Sequence, residues 1–423
     1  MLKKLSLAAL VAMGSMSFVS ATPLTEAIKN VDLSGMLRIR FYHENPETGN
    51  DSTKWRTNAV FIFKVPVSEN INFVFRNSTQ TLLKNTESND NNIVKTVDQV
   101  DSTMVNNLLF MNYHQDGLNV IAGKIPVATP ITSVDSATPT HGAGAIATYN
   151  LGNGFTVAGA FVTAMKNVAG LKVEKAVDYD SANDKIVTTY KATPVFDNYN
   201  YGGNVLNNDT YVLAGIYGSD AIKAQAWYFH VENLLKYDVI ARADLDLFKL
   251  ANLQNDFDLQ FHVDYAASKL DDAVDPSAST KNFWNINVKG KIASAALRVG
   301  YANSSDDDGA IDLSVDSPLA TSQAKVANYY DIANERDADM IYADASYNFT
   351  TAIKGTLAYA HINTSDDPVE RSNVLSSDLD EYTVKVDYAY NKKLSFQAYY
   401  DYADFSKKDS DNSEIRLQAL YKF

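Results

Sequence analysis

The feature that most constrains this chain is a hydrophobic repeat with a period of two residues. In the last ten residues, EIRLQALYKF (414–423), apolar side chains occupy every second position and polar ones lie between them. The same alternation is found in VDLSGMLRIRF (31–41), WRTNAVFIFKV (55–65), YTVKVDYAY (382–390) and LSFQAYY (394–400). Such a pattern is typical of β-strands with one apolar and one polar face.

The connections between these segments alternate between short and long. SEN (68–70), DG (116–117), GNG (152–154) and NKK (391–393) are typical of tight hairpin turns. Long polar stretches cover 77–102, 164–208, 304–337 and 364–380. We count eighteen strands, at about 31–42, 54–66, 71–79, 103–115, 118–125, 145–151, 155–163, 209–219, 221–232, 236–247, 257–268, 281–292, 293–303, 338–349, 351–363, 381–390, 394–405 and 414–423.

Two architectures can accommodate so many half-apolar strands. A soluble sandwich or propeller would bury the apolar faces between sheets, and a chain this long would normally divide into smaller domains. A closed membrane barrel turns the apolar faces to lipid and the polar faces to a water-filled lumen. The 25 Tyr and 19 Phe recur near strand ends, as interfacial girdles require. The sequence therefore predicts an all-β fold, a transmembrane antiparallel β-barrel of about 18 strands with short periplasmic turns and long extracellular loops.

The N-terminus has the features of an export signal. Lys3 and Lys4 precede an apolar stretch at 5–19, and Val-Ser-Ala at 19–21 fits a cleavage site. We predict a cleaved signal peptide at 1–21; a membrane anchor is disfavoured because the stretch is short and interrupted by Ser and Gly. The remaining 22–423 form one barrel domain, whose formal charge changes from −14 to −16 with the loss of the two lysines. No Cys is present, so disulfides and thiol chemistry are excluded.

The last strand predicts how the barrel closes. It must pair with the first strand, since no free strand edge is tolerated in a membrane. Tyr421 and Phe423 also fit the C-terminal signal that delivers outer-membrane barrels to their assembly machinery, although an ordinary closing strand would look similar.

Three segments carry a resemblance to a known family: ATPLTEAIKNVDLSGMLRIR (21–40), NVIAGK (119–124) and EIRLQALYKF (414–423). With them the chain resembles the major outer membrane porins of Campylobacter and its relatives. The resemblance implies an eighteen-stranded general diffusion porin of the outer membrane, usually a homotrimer in contact with lipid and lipopolysaccharide. It implies passage of ions and small hydrophilic solutes with a weak preference for cations. The short stretch at 22–30 fits a helical turn capped by Thr22.

Selectivity is expected where a loop folds into the lumen. By the resemblance, this constriction loop lies near 125–143, with Asp135 closest to an acidic residue of the family's constriction and a possible calcium ligand. Basic residues on the lumen side of the strands are expected to face it, at Arg38, Arg40, Arg56, Arg76 and Arg416. An acidic loop opposite a basic wall would create a transverse field that filters ions. The alternative is that these arginines only pair with neighbouring acids.

Other functions receive less support. The stretch SSDDDGAIDLSV (304–315) lacks carboxylates at the first and twelfth positions of a calcium loop, so we predict a solvated outer loop. His114, His141, His262 and His361 have no metal-ligand spacing. A negatively charged chain without a basic stripe does not favour nucleic acid. No enzyme is predicted; a barrel lipid hydrolase would depend on Ser133 and His141, and an adhesin or structural anchor on the long outer loops.

Overall fold

The computed structural model describes residues 31–48, 51–87, 93–94, 105–137, 139–168, 170–180, 185–195, 204–253, 257–307, 309–314, 316–323, 331–364, 378–406 and 411–423. The predicted signal peptide at 1–21 and the helical turn at 22–30 lie outside these residues. No helix in the described part of the chain is long and apolar enough to cross a membrane.

Eighteen strands form a closed antiparallel barrel, which confirms the predicted fold class. Each strand pairs with the next along the barrel, and β22 pairs with β1. The barrel strands are β1 (Asp32–Pro46), β2 (Ser52–Pro66), β3 (Ile71–Glu87), β5 (Val105–Gln115), β6 (Leu118–Pro126), β7 (His141–Gly152), β8 (Phe155–Val168), β12 (Thr210–Gly218), β13 (Ile222–Val231), β14 (Leu235–Asp246), β15 (Phe257–Leu270), β16 (Lys281–Ile292), β17 (Ala295–Ser304), β18 (Ala338–Asn348), β19 (Ile353–Asn363), β20 (Leu379–Ala389), β21 (Leu394–Phe405) and β22 (Asn412–Lys422).

The remaining elements belong to the connections. β4 (Ile93–Val94) pairs antiparallel with the end of β3, and β11 (Asn204–Leu206) pairs antiparallel with the end of β8. β9 (Gly170–Asp180) and β10 (Lys185–Val195) form a hairpin in a sheet of their own. The described residues also contain two short helices, α1 (Leu247–Leu250) and α2 (Pro318–Ser322).

Structure inside the predicted loops is the main difference from the sequence expectation. β3 continues to Glu87 and keeps its pairing with β2, although 77–87 was expected to be loop. The β9–β10 hairpin likewise lies within 164–208. Residues 77–87 are mostly polar without alternation, so the period-two signal that marked the membrane strands is missing there. In β9 apolar residues do alternate, at Leu171, Val173, Val177 and Tyr179, but the strand lies inside a long stretch rich in charged residues.

The apolar face of the barrel points outward. On β1, Leu33, Leu37 and Ile39 are 44–50% exposed, whereas Met36 and Arg38 between them are buried. The other barrel strands repeat this parity, with large apolar side chains outside and buried polar ones inside. Apolar side chains are thus exposed on the outside and polar ones are buried inside, the reverse of a soluble protein. A lipid-facing surface requires this arrangement.

Exposed aromatic rings gather at both ends of the strands. Phe155 with Tyr217 and Tyr388 with Phe396 pack at the rim with short turns, at centroid distances of 4.5 and 6.1 Å. Phe41 with Trp55, Trp284 with Tyr301 and Tyr359 with Tyr382 pack near the opposite rim. Two aromatic bands separated by an apolar belt mark the two membrane interfaces.

The short turns follow the expected backbone chemistry. Asp116 and Gly117 both have positive φ, 48° and 83°, as do Asn153 and Gly154. These are the angles of type I′ turns, whose twist matches that of the flanking strands, and Asn or Asp followed by Gly adopts them at the lowest cost.

Phe423 adds the last backbone pair to the seam between β22 and β1. Its backbone N–H and C=O exchange hydrogen bonds with Gly35, each 3.1 Å long. Its ring covers Gly35, where an added Cβ would lie 2.9 Å from Phe423 Cζ and 2.0 Å from the Val60 carbonyl oxygen. Gly35 is therefore the residue that allows the last strand to meet the first in register.

Candidate functional site

The connection between β6 and β7, residues 127–140, folds into the lumen and rests on the inward side chains of β1–β3. Arg38 of β1 donates to both carboxylate oxygens of Asp135, at 2.9 and 3.4 Å. Arg76 of β3 donates to the carbonyl oxygens of Ser136 and Ala137 at 2.7 and 3.1 Å. The loop is thus fixed to the basic wall at three consecutive residues.

Asp135 is held as an anion by its neighbours. Burial by itself would raise the pKa of this carboxyl, but the charge and hydrogen bonds of Arg38, the charge of Arg40 and the backbone N–H of Ala137 outweigh burial and hold the pKa well below its usual range. The Ala137 N–H bond is 2.6 Å long. Asp135 lies against the arginine wall as one half of an ion pair, rather than facing that wall across an open gap.

A second connection, between β17 and β18, also folds inward. Ala310, Ile311 and Asp312 are at most 1% exposed, so the prediction of a solvated outer loop for 304–315 is wrong. The apolar residues of this short polar stretch pack against the lumen loops and the inward wall, together with Leu319 of α2. Fully burying each such side chain contributes about 1.5–3 kcal/mol. Three aspartates in a row had suggested solvent, but they precede the buried part of the segment.

The end of α2 is fastened to the wall opposite β1–β3. Ser322 donates its hydroxyl to Asp264 of β15 at 2.5 Å, and its carbonyl oxygen accepts from Arg298 of β17 at 3.0 Å. Asp264 is fully buried and also accepts from Arg242 at 2.6 Å. His262 bridges Asp264 and Asp244, with both ring nitrogens 2.8 Å from a carboxylate oxygen. This polar cluster had no signal in the sequence, because its members are separated by strand pairing and by a loop.

The two inward loops meet each other inside the barrel. Leu313 and Leu319 donate their backbone N–H groups to the carbonyl oxygens of Ile131 and Pro130, both at 2.9 Å. We call residues 127–137, 139–140, 309–314 and 316–323 the lumen bridge. It joins β1–β3 to β15–β17. Counted around the barrel through β22, β2 is eight strands from β16, which is nearly half of the eighteen-stranded circumference. The lumen is therefore divided by a bridge attached at both ends.

The two sides of the lumen bridge differ in chemistry. On one side, side chains such as Ile131, Ile311, Phe283 and Met340 join one apolar cluster. On the other, the inward faces of β20–β22 and β1 carry polar side chains that are only partly buried: Lys385, Asp387, Gln397, Arg416, Gln418 and Arg40. The partly exposed, polar part of the inner wall therefore lies on this side of the lumen bridge.

The predicted arginines have three different roles in the structure. Arg38 and Arg76 hold the lumen bridge. Arg40 and Arg56 both donate to the hydroxyl of Tyr42, at 3.2 and 3.3 Å. Arg416 lies over the ring of Tyr399 at 4.2 Å and donates to Gln397 at 3.1 Å. The alternation of inward and outward positions in the sequence placed all five arginines on the inner face. Their three different roles depend on strand register and on the position of the loop, which the sequence does not reveal.

The remaining candidates fit other chemistry less well. The Ser133 hydroxyl accepts from the Asp135 N–H at 3.3 Å, and His141 Nδ1 lies 3.0 Å from the Pro139 carbonyl oxygen, so both belong to the internal bonding of the loop. The Asp135 carboxylate oxygens already accept hydrogen bonds from the Arg38 guanidinium and the Ala137 N–H. A calcium ion would need the same oxygens as ligands. In the described residues no group of three His, Asp or Glu side chains could hold a metal ion.

An eighteen-stranded antiparallel barrel with an apolar outer belt, aromatic bands and a polar, loop-narrowed lumen is an outer-membrane barrel of the porin class. The family described as Campylobacter major outer membrane protein matches residues 1–423, and the chain belongs to that family. The resemblance noted from the sequence is thereby confirmed. The chain is an outer membrane porin for the diffusion of small solutes, and family and fold point to a channel rather than an enzyme.

Solved structures with the same fold come from other bacteria. The structure of Pseudomonas aeruginosa OpdK with vanillate has a TM-score of 0.68 and 11% identity, with 93% of this chain and 99% of that chain covered. Pseudomonas aeruginosa OccK7 (OpdD) gives 0.68 and 13%, and Acinetobacter baumannii OccAB3 gives 0.68 and 12%, both with the same coverage. At such identities the likeness concerns the fold alone. No curated protein matches the sequence.

Proposed function

We propose that the chain is a general diffusion porin with a weak preference for cations, working as a homotrimer in contact with outer-membrane lipid and lipopolysaccharide. The observation that carries the proposal is the partly exposed polar wall formed by the inward faces of β20–β22 and β1. Ions and hydrophilic solutes cross a general porin through a water-filled lumen, and this wall offers them guanidinium, amide and carboxylate groups.

The cation preference rests on the balance of charge. A chain with formal charge −14 over its full length attracts cations to its mouths, within about a Debye length of 10 Å at 0.1 M salt. The charge of Asp135 is cancelled by Arg38, so the preference is expected to be weak. A strongly selective filter would need unpaired charges of one sign at the narrowest point.

Single-channel recording in a planar bilayer tests the proposal. Purified folded protein is expected to give conductance steps that group in threes, and a KCl gradient is expected to give a reversal potential of the sign for cation preference. A folded barrel that never conducts would refute the porin function. Single steps that never group would refute the trimer alone.

The assembly role proposed for Tyr421 and Phe423 is supported by their position. The two rings stack at a centroid distance of 6.1 Å on the outer surface beside the seam of β22 and β1. Assembly machinery can recognise the C-terminal strand only before β22 pairs with β1, so the whole strand has to be present before the seam closes.

A surface-binding role of the long-loop rim is a second proposal. The β9–β10 hairpin pairs in a sheet separate from the barrel, so it can bind a partner without disturbing the wall. Deleting residues 170–195 is expected to abolish binding to host cells or matrix and to leave conductance unchanged.

A further inference from the structure

The inward faces of β21, β22, β1 and β2 carry ordered rows of side chains. Strand register places Asp401, Glu414 and Glu44 side by side in one row. In the next inward row, two residues closer to the short-turn rim, Arg416 lies beside Tyr42. In the row after that, again two residues closer to this rim, Arg40 lies between Gln418 and Arg56. Two residues along a strand span about 7 Å. The acidic row is therefore about 7 Å from the row that contains Arg416, and that row is about 7 Å from the row that contains Arg40 and Arg56.

The acidic row is already satisfied by donors. Glu44 accepts from Lys54 at 2.5 Å, Glu414 from the Tyr399 hydroxyl at 2.5 Å and Asp401 from the Thr383 hydroxyl at 2.5 Å. Asp401 and Glu414 are 3% and 2% exposed. These carboxylates therefore belong to the wall and do not face a passing solute.

The basic rows are different, because their partners are neutral. Arg40 donates from Nε to Gln418 at 2.6 Å and from Nη1 to the Tyr42 hydroxyl. Arg416 donates to the Gln397 amide oxygen and lies over the Tyr399 ring, and its buried Nε has no hydrogen-bond partner. The Asp401 carboxyl interacts with the charge of Arg416 without forming an ion pair. Within the described part of the chain neither Arg40 nor Arg416 forms an ion pair. Asp135 and Asp316 attract Arg40 from the lumen bridge, but Asp135 is bound to Arg38.

Like charges face each other across the strands at this point. Arg40 and Arg56 are direct cross-strand partners on β1 and β2, an arrangement that costs stability unless an anion or a shared acceptor lies between them. The Tyr42 hydroxyl is a shared acceptor of Arg40 and Arg56. An anion bound beside Arg40 would reduce this repulsion further.

We propose that Arg40 and Arg416, with the hydroxyl of Tyr42 beside them, form a binding site for the carboxylate group of small organic solutes. Both residues are partly exposed, and Gln397 and Gln418, to which they donate, line a cavity of 350 Å³ that lies toward the short-turn rim. A guanidinium fork matches a carboxylate with two parallel hydrogen bonds. The inference rests on the proposed porin function, because the site is reached only through the lumen.

The proposal coexists with a weak preference for cations. The reversal potential in KCl reports the long-range electrostatic field of the protein, to which the acidic net charge contributes. The proposed site acts at hydrogen-bond distance and needs a planar anion, so chloride passes without being held. A solute with a carboxylate is expected to bind and to interrupt the ion current while it is bound.

The experiment is single-channel recording in KCl with potassium benzoate added to one side and benzamide as the uncharged control. Benzoate is expected to cause saturable interruptions of the wild-type current, and benzamide none. Arg40→Gln and Arg416→Gln are each expected to weaken the apparent affinity for benzoate about tenfold, the loss of one charge-assisted contact. Arg416→Lys keeps the charge without the fork and is expected to weaken it as well, with the reversal potential unchanged.

Lys54→Gln is the matched control, since it removes one positive charge from the same wall where Glu44 already pairs with it. Its benzoate affinity is expected to stay within twofold of wild type. Equal losses in Lys54→Gln and Arg416→Gln would overturn the proposal in favour of a diffuse field. Phosphate that binds as well as benzoate would overturn the carboxylate assignment. A conducting channel that ignores benzoate refutes this site alone, whereas a silent folded barrel refutes the porin function.

Discussion

Replacing Asp135 by Asn changes one charge at the lumen bridge with almost no change in size. In the native protein Asp135 and Arg38 cancel, so Asp135→Asn leaves one uncompensated positive charge on the polar wall. A unit charge about 7 Å from an ion in water contributes about 0.6 kcal/mol, and screening at 0.1 M salt reduces this to about 0.3 kcal/mol. Because the effect has opposite sign for cation and anion, the ratio of potassium to chloride permeability should fall roughly threefold.

The assay is the reversal potential of single channels across a KCl gradient near 0.1 M. Glu69→Gln is the matched control, because it makes the same charge change at an exposed turn of the short-turn rim. Its permeability ratio should not change. An unchanged ratio in Asp135→Asn, or an equal fall in both variants, would show that the charge at 135 does not act on ions in the lumen.

The same ion pair predicts a dependence on pH. The pKa of Asp135 is lowered in the folded protein, so its stabilising contribution is present above the unfolded pKa of about 3.9 and is lost only as the pH falls through the lower folded value. The Asp135 contribution to selectivity and to the attachment of the lumen bridge should therefore stay constant between pH 7 and pH 5. Loss of the difference between wild type and Asp135→Asn already at pH 5 would contradict this pairing.

Three further substitutions test other parts of the structure. Leu319→Ala removes a fully buried side chain of the lumen bridge and should cost about 2–5 kcal/mol, with a lower thermal unfolding midpoint and a larger, noisier conductance. Asp264→Asn leaves Arg242 without its counter-charge in a buried cluster and should cost about 3 kcal/mol, measured by thermal unfolding in detergent. Phe423→Ala uncovers Gly35 at the seam and should lower the amount of heat-modifiable folded barrel in the outer membrane, whereas Tyr390→Ala, at an exposed turn of the same rim, should not. Equal yields for these two variants would show that the aromatic ring at the seam is not needed for assembly.

The barrel could be predicted because its signal is local. A strand in a membrane wall must present apolar side chains to lipid at every second position, and this requirement leaves a period-two pattern in the sequence whatever the neighbouring strand is. The hairpin turns are equally local, as Asp116–Gly117 shows. The extension of β3 to Glu87 was missed because residues 77–87 are mostly polar and do not alternate. The β9–β10 hairpin was missed because the alternation of β9 lies inside a long stretch rich in charged residues.

The site was predicted only in part. Parity alone placed Arg38, Arg40 and Arg416 on the inner face, and the resemblance pointed to a loop near Asp135. The sequence did not reveal that a second loop folds inward, because the buried residues of 309–313 are few and follow a run of aspartates. It also did not reveal that Asp135 is neutralised by Arg38 while Arg40 and Arg416 have neutral partners.

The sequence by itself determined a closed barrel of eighteen strands, the face of each strand that meets lipid, and the rim that carries the long loops, since each follows from which residues alternate and where turns interrupt them. Only the tertiary structure decided the chemistry of the lumen. Ion pairs between Arg38 and Asp135, or between Arg242 and Asp264, depend on strand register and on where a loop comes to rest, and those contacts join residues far apart in the chain. Whether a charge on the inner wall is free to meet a solute is therefore a property of the folded barrel.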